Sequence, residues 1–220
     1  MVNYDRDLNF IINHNNIYRV MECYRMSKTE QIINFFDKSP GIHTHKELLE
    51  VGAYPNLLRN MVRDNVLEEV SRGYYQLAGY FPDNFDLEEI SAIVPKGVFC
   101  LISALYFHNI GTQIPREYYL AIPIGVNPTE RTKYSIRNFF YSEKVYKAGI
   151  EKHGNIRVYS VAKTVADCFK FRNKIGLDVA LEALKEVLRS RKASVQEIIE
   201  MAEVCRVKNI MMPYMEAYNS

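Results

Sequence analysis

Cysteine is scarce in this chain of 220 residues, and its four copies are scattered. Cys23, Cys100, Cys168 and Cys205 form no Cys-x-x-Cys pair, so neither a disulfide framework nor a zinc site is indicated. Long apolar runs are also missing. The longest, Val98 to Phe107, is broken by Ser103 and is too short to span a bilayer. No secretory leader is read at the start, where Asp5, Arg6 and Asp7 interrupt the first ten residues. A cytoplasmic, reducing setting is therefore the expectation, with no membrane partner. Glycine-rich phosphate loops are absent, both G-x-x-x-x-G-K and G-x-G-x-x-G. So is a Gly-Ser pair followed by two aspartates, the nucleotidyltransferase signature. His43 and His45 lack a third ligand at motif spacing and read as a loop pair. Neither a metal nor a cofactor is expected.

What remains is an ordinary globular composition, 48% apolar and 25% charged, long enough to bury a core as one large domain or two small ones. The net charge of +2 hides a split. Residues 1–80 hold 9 Lys/Arg against 10 Asp/Glu, and residues 81–220 hold 19 against 16. From Arg131 to Arg157 there are seven basic residues and two acidic ones. Such a run is either a solvated face or a surface for an anionic partner.

Residues 1–26 suggest one or two short helices around Asn13–Asn16, as a cover or a dimer contact. From Ser27 the signals sharpen. Ser27-Lys-Thr-Glu30 is a capping-box pattern, in which Ser accepts from an early helical amide and Glu reaches back to the cap amide. Ile32, Ile33, Phe35 and Phe36 then form a buried stripe, and Pro40-Gly41 stops the helix. Thr44-His-Lys-Glu47 repeats the pattern before a short helix that carries Leu48 and Leu49 and ends at Gly52. Pro55 suits the first turn of a third helix. Leu57, Leu58, Met61 and Val62 fall on one side of it, and Asn56, Arg59, Asn60 and Arg63 on the other. Two β-like runs follow, Leu67–Val70 and Gly73–Leu77, joined by Ser71-Arg72. Three helices and a hairpin, with a short Gly-containing turn between the second and third helices, is the order of a winged helix-turn-helix over residues 27–80.

Residues 81–220 read as a mixed α+β domain ending in several helices. Asp86-Leu-Glu-Glu begins one helix, and an apolar helix is expected over roughly Gly97–His108. Tyr118–Pro123 is a strand. Ser135–Ser160 alternates enough for two or three more, with His153-Gly154-Asn155 as a turn. Helical periodicity returns after Ser160. Ser194-Val-Gln-Glu197 is a third capping box, and Pro213 interrupts a final helical stretch.

Two features carry chemistry. Asn and Arg make two-point contacts with adenine and guanine edges, so the polar face of the third helix suits the major groove. The acidic balance of this region counts against DNA, because phosphate attraction supplies much of the affinity. Ser160-Val-Ala-Lys163 matches the S-x-x-K of Ser-Lys hydrolases, but S-D-N and K-T-G are missing. Ser160 reads as a helix cap, and Lys163 with Asp167 as an ion pair one turn apart.

Several segments resemble AbiEi-type antitoxins. Gly41-Ile-His-Thr-His-Lys-Glu-Leu-Leu-Glu-Val-Gly52, Leu57-Leu-Arg59 and Val70-Ser-Arg-Gly-Tyr-Tyr-Gln-Leu77 are similar to that family's winged helix. Val94-Pro-Lys-Gly-Val98, Ser103-Ala-Leu105 and Gln113-Ile-Pro115 extend the likeness. It is strongest in Ser160-Val-Ala-Lys-Thr-Val-Ala-Asp-Cys-Phe169 and from Cys205-Arg-Val to Met212-Pro-Tyr214. The resemblance implies a two-part, non-enzymatic bacterial protein of a type IV toxin–antitoxin, abortive-infection system. Its winged helix would repress its own operon by binding double-stranded operator DNA. Its second domain would counteract a nucleotidyltransferase-type toxin without a need for direct binding.

The resulting expectation places Asn56, Arg59, Asn60 and Arg63 against bases. Thr44, Lys46 and Arg72 would position the backbone or enter the minor groove, and Tyr54 would also contact DNA. Arg131, Lys133 and Arg137 would add backbone or anion contacts, and Lys163 with Asp167 is a functional or structural pair. The alternatives are a winged helix that binds protein instead of DNA, and a hydrolase built on Ser160 and Lys163.

Overall fold

The computed structural model describes residues 26–128 and 132–219. The helices expected before Met26, and Arg131, lie outside them. The chain forms two compact units, Met1–Pro82 and Asp83–Ser220, and its class is α+β. Among the described residues no helix is long and apolar enough to cross a membrane.

The first unit begins with α1, Lys28–Lys38. Its capping box is closed: the Glu30 amide donates to Ser27 Oγ at 3.2 Å, and the Ser27 amide to Glu30 Oε2 at 2.7 Å. The stripe read from the sequence buries Ile32 and Phe36. Strand β1, His43–Thr44, was not legible in the sequence; it leads directly into α2, His45–Glu50. Thr44 and Glu47 close the second capping box over that helix. Gly52 follows with φ 100, a conformation that costs a glycine little. Helix α3, Pro55–Arg63, ends where Asn65 turns left-handed at φ 56 and the Val66 amide donates back to the Met61 carbonyl. Strands β2, Leu67–Ser71, and β3, Tyr74–Leu77, form an antiparallel hairpin, and β1 adds to β3, giving the order β1-β3-β2. Ile32, Phe36, Leu48, Leu58, Met61 and Leu67 fill one core beneath these elements.

The second unit is built on a mixed sheet in the order β6-β5-β4-β8-β7. Its strands are β4 (Val98–Phe99), β5 (Tyr118–Pro123), β6 (Ile136–Tyr141), β7 (Ile150–His153) and β8 (Ile156–Tyr159). Helix α4, Phe85–Ile93, precedes β4. Helix α5, Leu101–Phe107, follows it, and the short α6, Glu143–Lys147, lies between β6 and β7. Five helices complete the chain: α7 (Val161–Lys170), α8 (Arg172–Ile175), α9 (Leu177–Ser190), α10 (Val195–Val204) and α11 (Lys208–Asn219). Side chains alternate across the sheet. Tyr119, Ala121, Phe139 and Tyr141 join the helical core, and Tyr118 points to the α4 side, where it bonds Asp86.

The structure departs from the sequence pattern at two places. The apolar run Gly97–His108 is not one helix: Val98–Phe99 is a strand, and Leu101 at φ 49 turns the chain into α5. Both strand residues are buried, and an apolar run buried on both faces carries no period that separates strand from helix. Pro213 does not interrupt the final helix, which runs through it. Met211 and Met215, on either side of it, are buried, and that packing outweighs the one backbone bond a proline removes.

Helix α7 is the axis of this unit. Every residue from Ala162 to Phe169 is buried, with α5, α9 and α10 around it. Ser160 caps it, accepting from the Lys163 amide at 3.3 Å. Gly149, at φ 67, lies against its first turn, and a Cβ there would fall 2.7 Å from Lys163 Cβ.

His108 closes α5 and contacts the Tyr159 carbonyl at 2.7 Å through Nε2. Burial holds its pKa below the usual histidine value, although this hydrogen bond works the other way. The unfolded chain then takes up the proton first, so stability should fall as pH drops below about 6.5. In urea unfolding at pH 7.5 and 5.5, His108→Gln should show a smaller pH dependence than the parent chain. An identical dependence in the two proteins would remove His108 as its source.

Candidate nucleic-acid interface

Helix α3 presents two unlike faces. Leu58 and Met61 are buried, and Asn56, Arg59, Asn60 and Arg63 are exposed along one side. Pro55 occupies the first turn, where its missing amide proton costs nothing. Tyr54, half exposed at 52%, stands at the mouth of the helix and makes no side-chain cap bond. Arg59 donates to Asn56 Oδ1 at 3.0 Å, so the two side chains already form one unit. Arg63 turns away to fork onto Asp64, at 2.9 and 3.4 Å. That hydrogen bond holds the Arg63 pKa above its ordinary value. Asn60 keeps its place beside Arg59 on the exposed face.

The other first-unit residues separate by role. The Thr44 hydroxyl is taken up by its cap: it accepts from the Glu47 amide at 3.2 Å and donates to Glu47 Oε2 at 2.8 Å. Lys46 is exposed and lies 3.9 Å from Glu50. Arg72 is exposed at the tip of the β2–β3 hairpin. The Gly73 carbonyl beside it accepts from the His45 amide at 2.7 Å, which ties the hairpin tip to the start of α2. Thus α2, α3 and the hairpin tip belong to one packed unit.

The described basic residues from Lys133 to Arg157 do not form one strip. Lys133 pairs with buried Glu89 at 2.8 Å and lies over the Phe85 and Tyr134 rings, on the α4 side of the sheet. Arg137 pairs with Glu117 at 3.3 Å and lies over Tyr119 and Phe139, on the opposite face. Lys147 is held by Glu143 at 2.6 Å. Arg157 bonds the Pro95 carbonyl and the Tyr146 hydroxyl. The fold instead brings Arg137 near the Lys170, Arg172, Lys174 cluster, whose close spacing is plain in the sequence. Lys174 lies 5.6 Å from the centre of the same Phe139 ring that Arg137 covers, and Lys170 lies 5.9 Å from that of Tyr141.

Lys163 and Asp167 meet at 2.5 Å with both side chains fully buried. The Lys163 ammonium also faces the Tyr159 and Tyr141 rings, at 3.9 and 4.8 Å. Cys205 Sγ donates to the other Asp167 oxygen at 3.2 Å. Burial, with the Asp167 charge adding to it, pushes the Cys205 thiol up to about 12, so it stays protonated. Ser160 accepts only from the helix amide, and the Lys163 ammonium is turned to Asp167. A Ser-Lys nucleophile needs lysine directed at serine, and this arrangement directs it inward. Among the described residues no three His, Cys, Asp or Glu side chains are grouped to hold a metal ion.

No family model matches the chain, and no curated protein matches it in sequence. Its fold has a solved counterpart. The crystal structure of the RV2827C protein from Mycobacterium tuberculosis is similar over 80% of this chain and 71% of that one, with a TM-score of 0.54. Sequence identity over the match is 10%, so the likeness is one of fold alone.

Proposed function

We propose that this protein is a transcriptional repressor whose first unit is a winged helix-turn-helix bound to double-stranded operator DNA, with an antitoxin role for the second unit. The observation that carries the DNA reading is the exposed Asn56, Arg59, Asn60 face of α3, set in one unit with α2 and the Arg72 hairpin tip. Helix, turn, recognition helix and hairpin are the parts such a domain uses to place side chains on base edges and phosphates. The antitoxin role, with a nucleotidyltransferase-type toxin as functional partner, rests on the sequence resemblance to AbiEi-type antitoxins.

A second reading has its own support. Arg63 is bound to Asp64 and Lys46 lies beside Glu50, while Glu68 and Glu69 are exposed on β2. These acids reduce phosphate attraction and suit a winged helix that docks on protein. Binding of the full chain to duplex DNA from immediately upstream of its gene separates the two. The repressor reading expects binding on the order of 1,000-fold tighter than to a scrambled duplex at the same salt, weakening as salt rises. Equal, weak binding to both duplexes would favour the protein-docking reading. Co-expression with a neighbouring nucleotidyltransferase gene tests the antitoxin half, and unrelieved growth arrest would remove it.

A further inference from the structure

The first turn of α4, one side of α5 and the segment leading into β5 line an open cavity of about 360 Å³ in the second unit. Asp83 and Asp86 line it on the α4 side, and Arg116 lines it from the β5 side. Between them lie Leu87, Tyr106 and Ile114. Tyr106 and Ile114 are 54% and 77% exposed and offer apolar surface at the cavity's edge.

Asp86 is held in place. One carboxylate oxygen accepts from the Leu87 amide at 3.0 Å, and the other accepts from the Tyr118 hydroxyl. Burial and the Asp86 hydrogen bond push the Tyr118 pKa far above its usual value, so that hydroxyl remains a donor. Acidic residues at a helix start also suit its dipole, which accounts for Asp86. It does not account for Arg116. The exposed Arg116 and Asp83 side chains share the cavity, and among the ion pairs of the described residues none joins Arg116 to Asp83 or Asp86. Opposite charges that border one cavity and stay apart leave room for a molecule that bridges them.

We propose that this cavity binds a small zwitterion with an apolar side chain, its ammonium on Asp83 and Asp86, its carboxylate on Arg116, and its apolar part against Leu87, Tyr106 and Ile114. A simple anion would meet two carboxylates here, and a simple cation would leave Arg116 without a partner. A molecule carrying both charges satisfies each group: three ammonium donors face the aspartates, and a planar carboxylate suits the guanidinium fork. The volume falls in the range of small-ligand sites. Two sources have this chemistry, a free apolar amino acid and a short apolar peptide.

Calorimetric titration of the full chain with leucine, phenylalanine and Leu-Leu tests the proposal. Isocaproate, which lacks the ammonium of leucine, and isoamylamine, which lacks its carboxylate, serve as controls. At least one zwitterion should bind with Kd of about 1 mM or tighter, and both controls about tenfold more weakly or worse. Tighter binding by leucine or phenylalanine would identify the free amino acid as the source, and tighter binding by Leu-Leu the peptide. Asp83→Asn and Arg116→Gln lie on the surface and should leave the unfolding midpoint unchanged. Each should weaken the best zwitterion about tenfold, since each removes one end of the bridge. No saturable binding by any of the three zwitterions would overturn the proposal. Equal binding by the controls, or indifference to both substitutions, would do the same.

Discussion

Lys163→Met is expected to destabilise the second unit by about 3–5 kcal/mol, the cost of leaving one member of a buried ion pair without its partner. Lys163 and Asp167 are fully buried in α7 and lie 2.5 Å apart. Methionine fills much of the same space and keeps the helix, so the loss would come from the stranded Asp167 carboxylate and not from a cavity. Cys205 would still donate to Asp167, but a thiol is a weak donor. Adding Asp167→Leu should recover about 2 kcal/mol or more, because removing both charges also removes the need to bury them. Urea unfolding of the parent, both single variants and the double variant measures each term. By contrast, breaking the exposed Lys147–Glu143 pair, also one turn apart, should cost only about 0.3–0.5 kcal/mol. A loss under about 1 kcal/mol in Lys163→Met would mean that the ammonium contributes nothing net to the fold.

Arg59→Ala should weaken operator binding by about 1–3 kcal/mol and relax preference at one base pair. Binding to scrambled DNA should fall less. Arg59 donates to Asn56, so the two are expected to act together: the double variant should cost less than the sum of the single ones. Lys46→Ala supplies the contrast. An exposed lysine that meets only phosphate should weaken all sequences alike and lower the salt slope by about 0.9. Unchanged operator affinity in Arg59→Ala at fixed salt would exclude α3 as the reading element.

Local signals in the sequence were legible where they are self-contained. Ser27, Thr44 and Ser194 each cap a helix with the glutamate three residues on, because that geometry needs only a single turn of chain. The polar and apolar sides of α3 followed from helical period alone, and so did the approach of Lys163 to Asp167. Features that depend on distant chain were not legible. Val98–Phe99 becomes a strand only because Ala121, Leu120 and Val158 come alongside. The sharing of Phe139 by Arg137 and Lys174 needs β6 set against the end of α7 and α8. Lys133 and Arg137 are close in sequence, yet they part because Lys133 lies in the loop before β6 and reaches Glu89, while Arg137 lies on β6 and reaches Glu117. The cavity beside α4 draws on three separate segments, and no spacing in the sequence connects Asp83 to Arg116.

Strand β4 is only two residues long, yet it joins the halves of its sheet. One side pairs with β5, shortly after it in the chain, and the other pairs in parallel with β8, where Phe99 meets Val158. The pairing that completes this sheet therefore waits until Val158 has been synthesised, and it closes a longer loop than the strand pairings of the first unit. In the first unit His43 finds Tyr75 over about half that separation, and Leu67 finds Leu77 over a short hairpin. On the ribosome the first unit emerges first, so its short sheet can close before the sheet of the second unit is complete on every nascent chain.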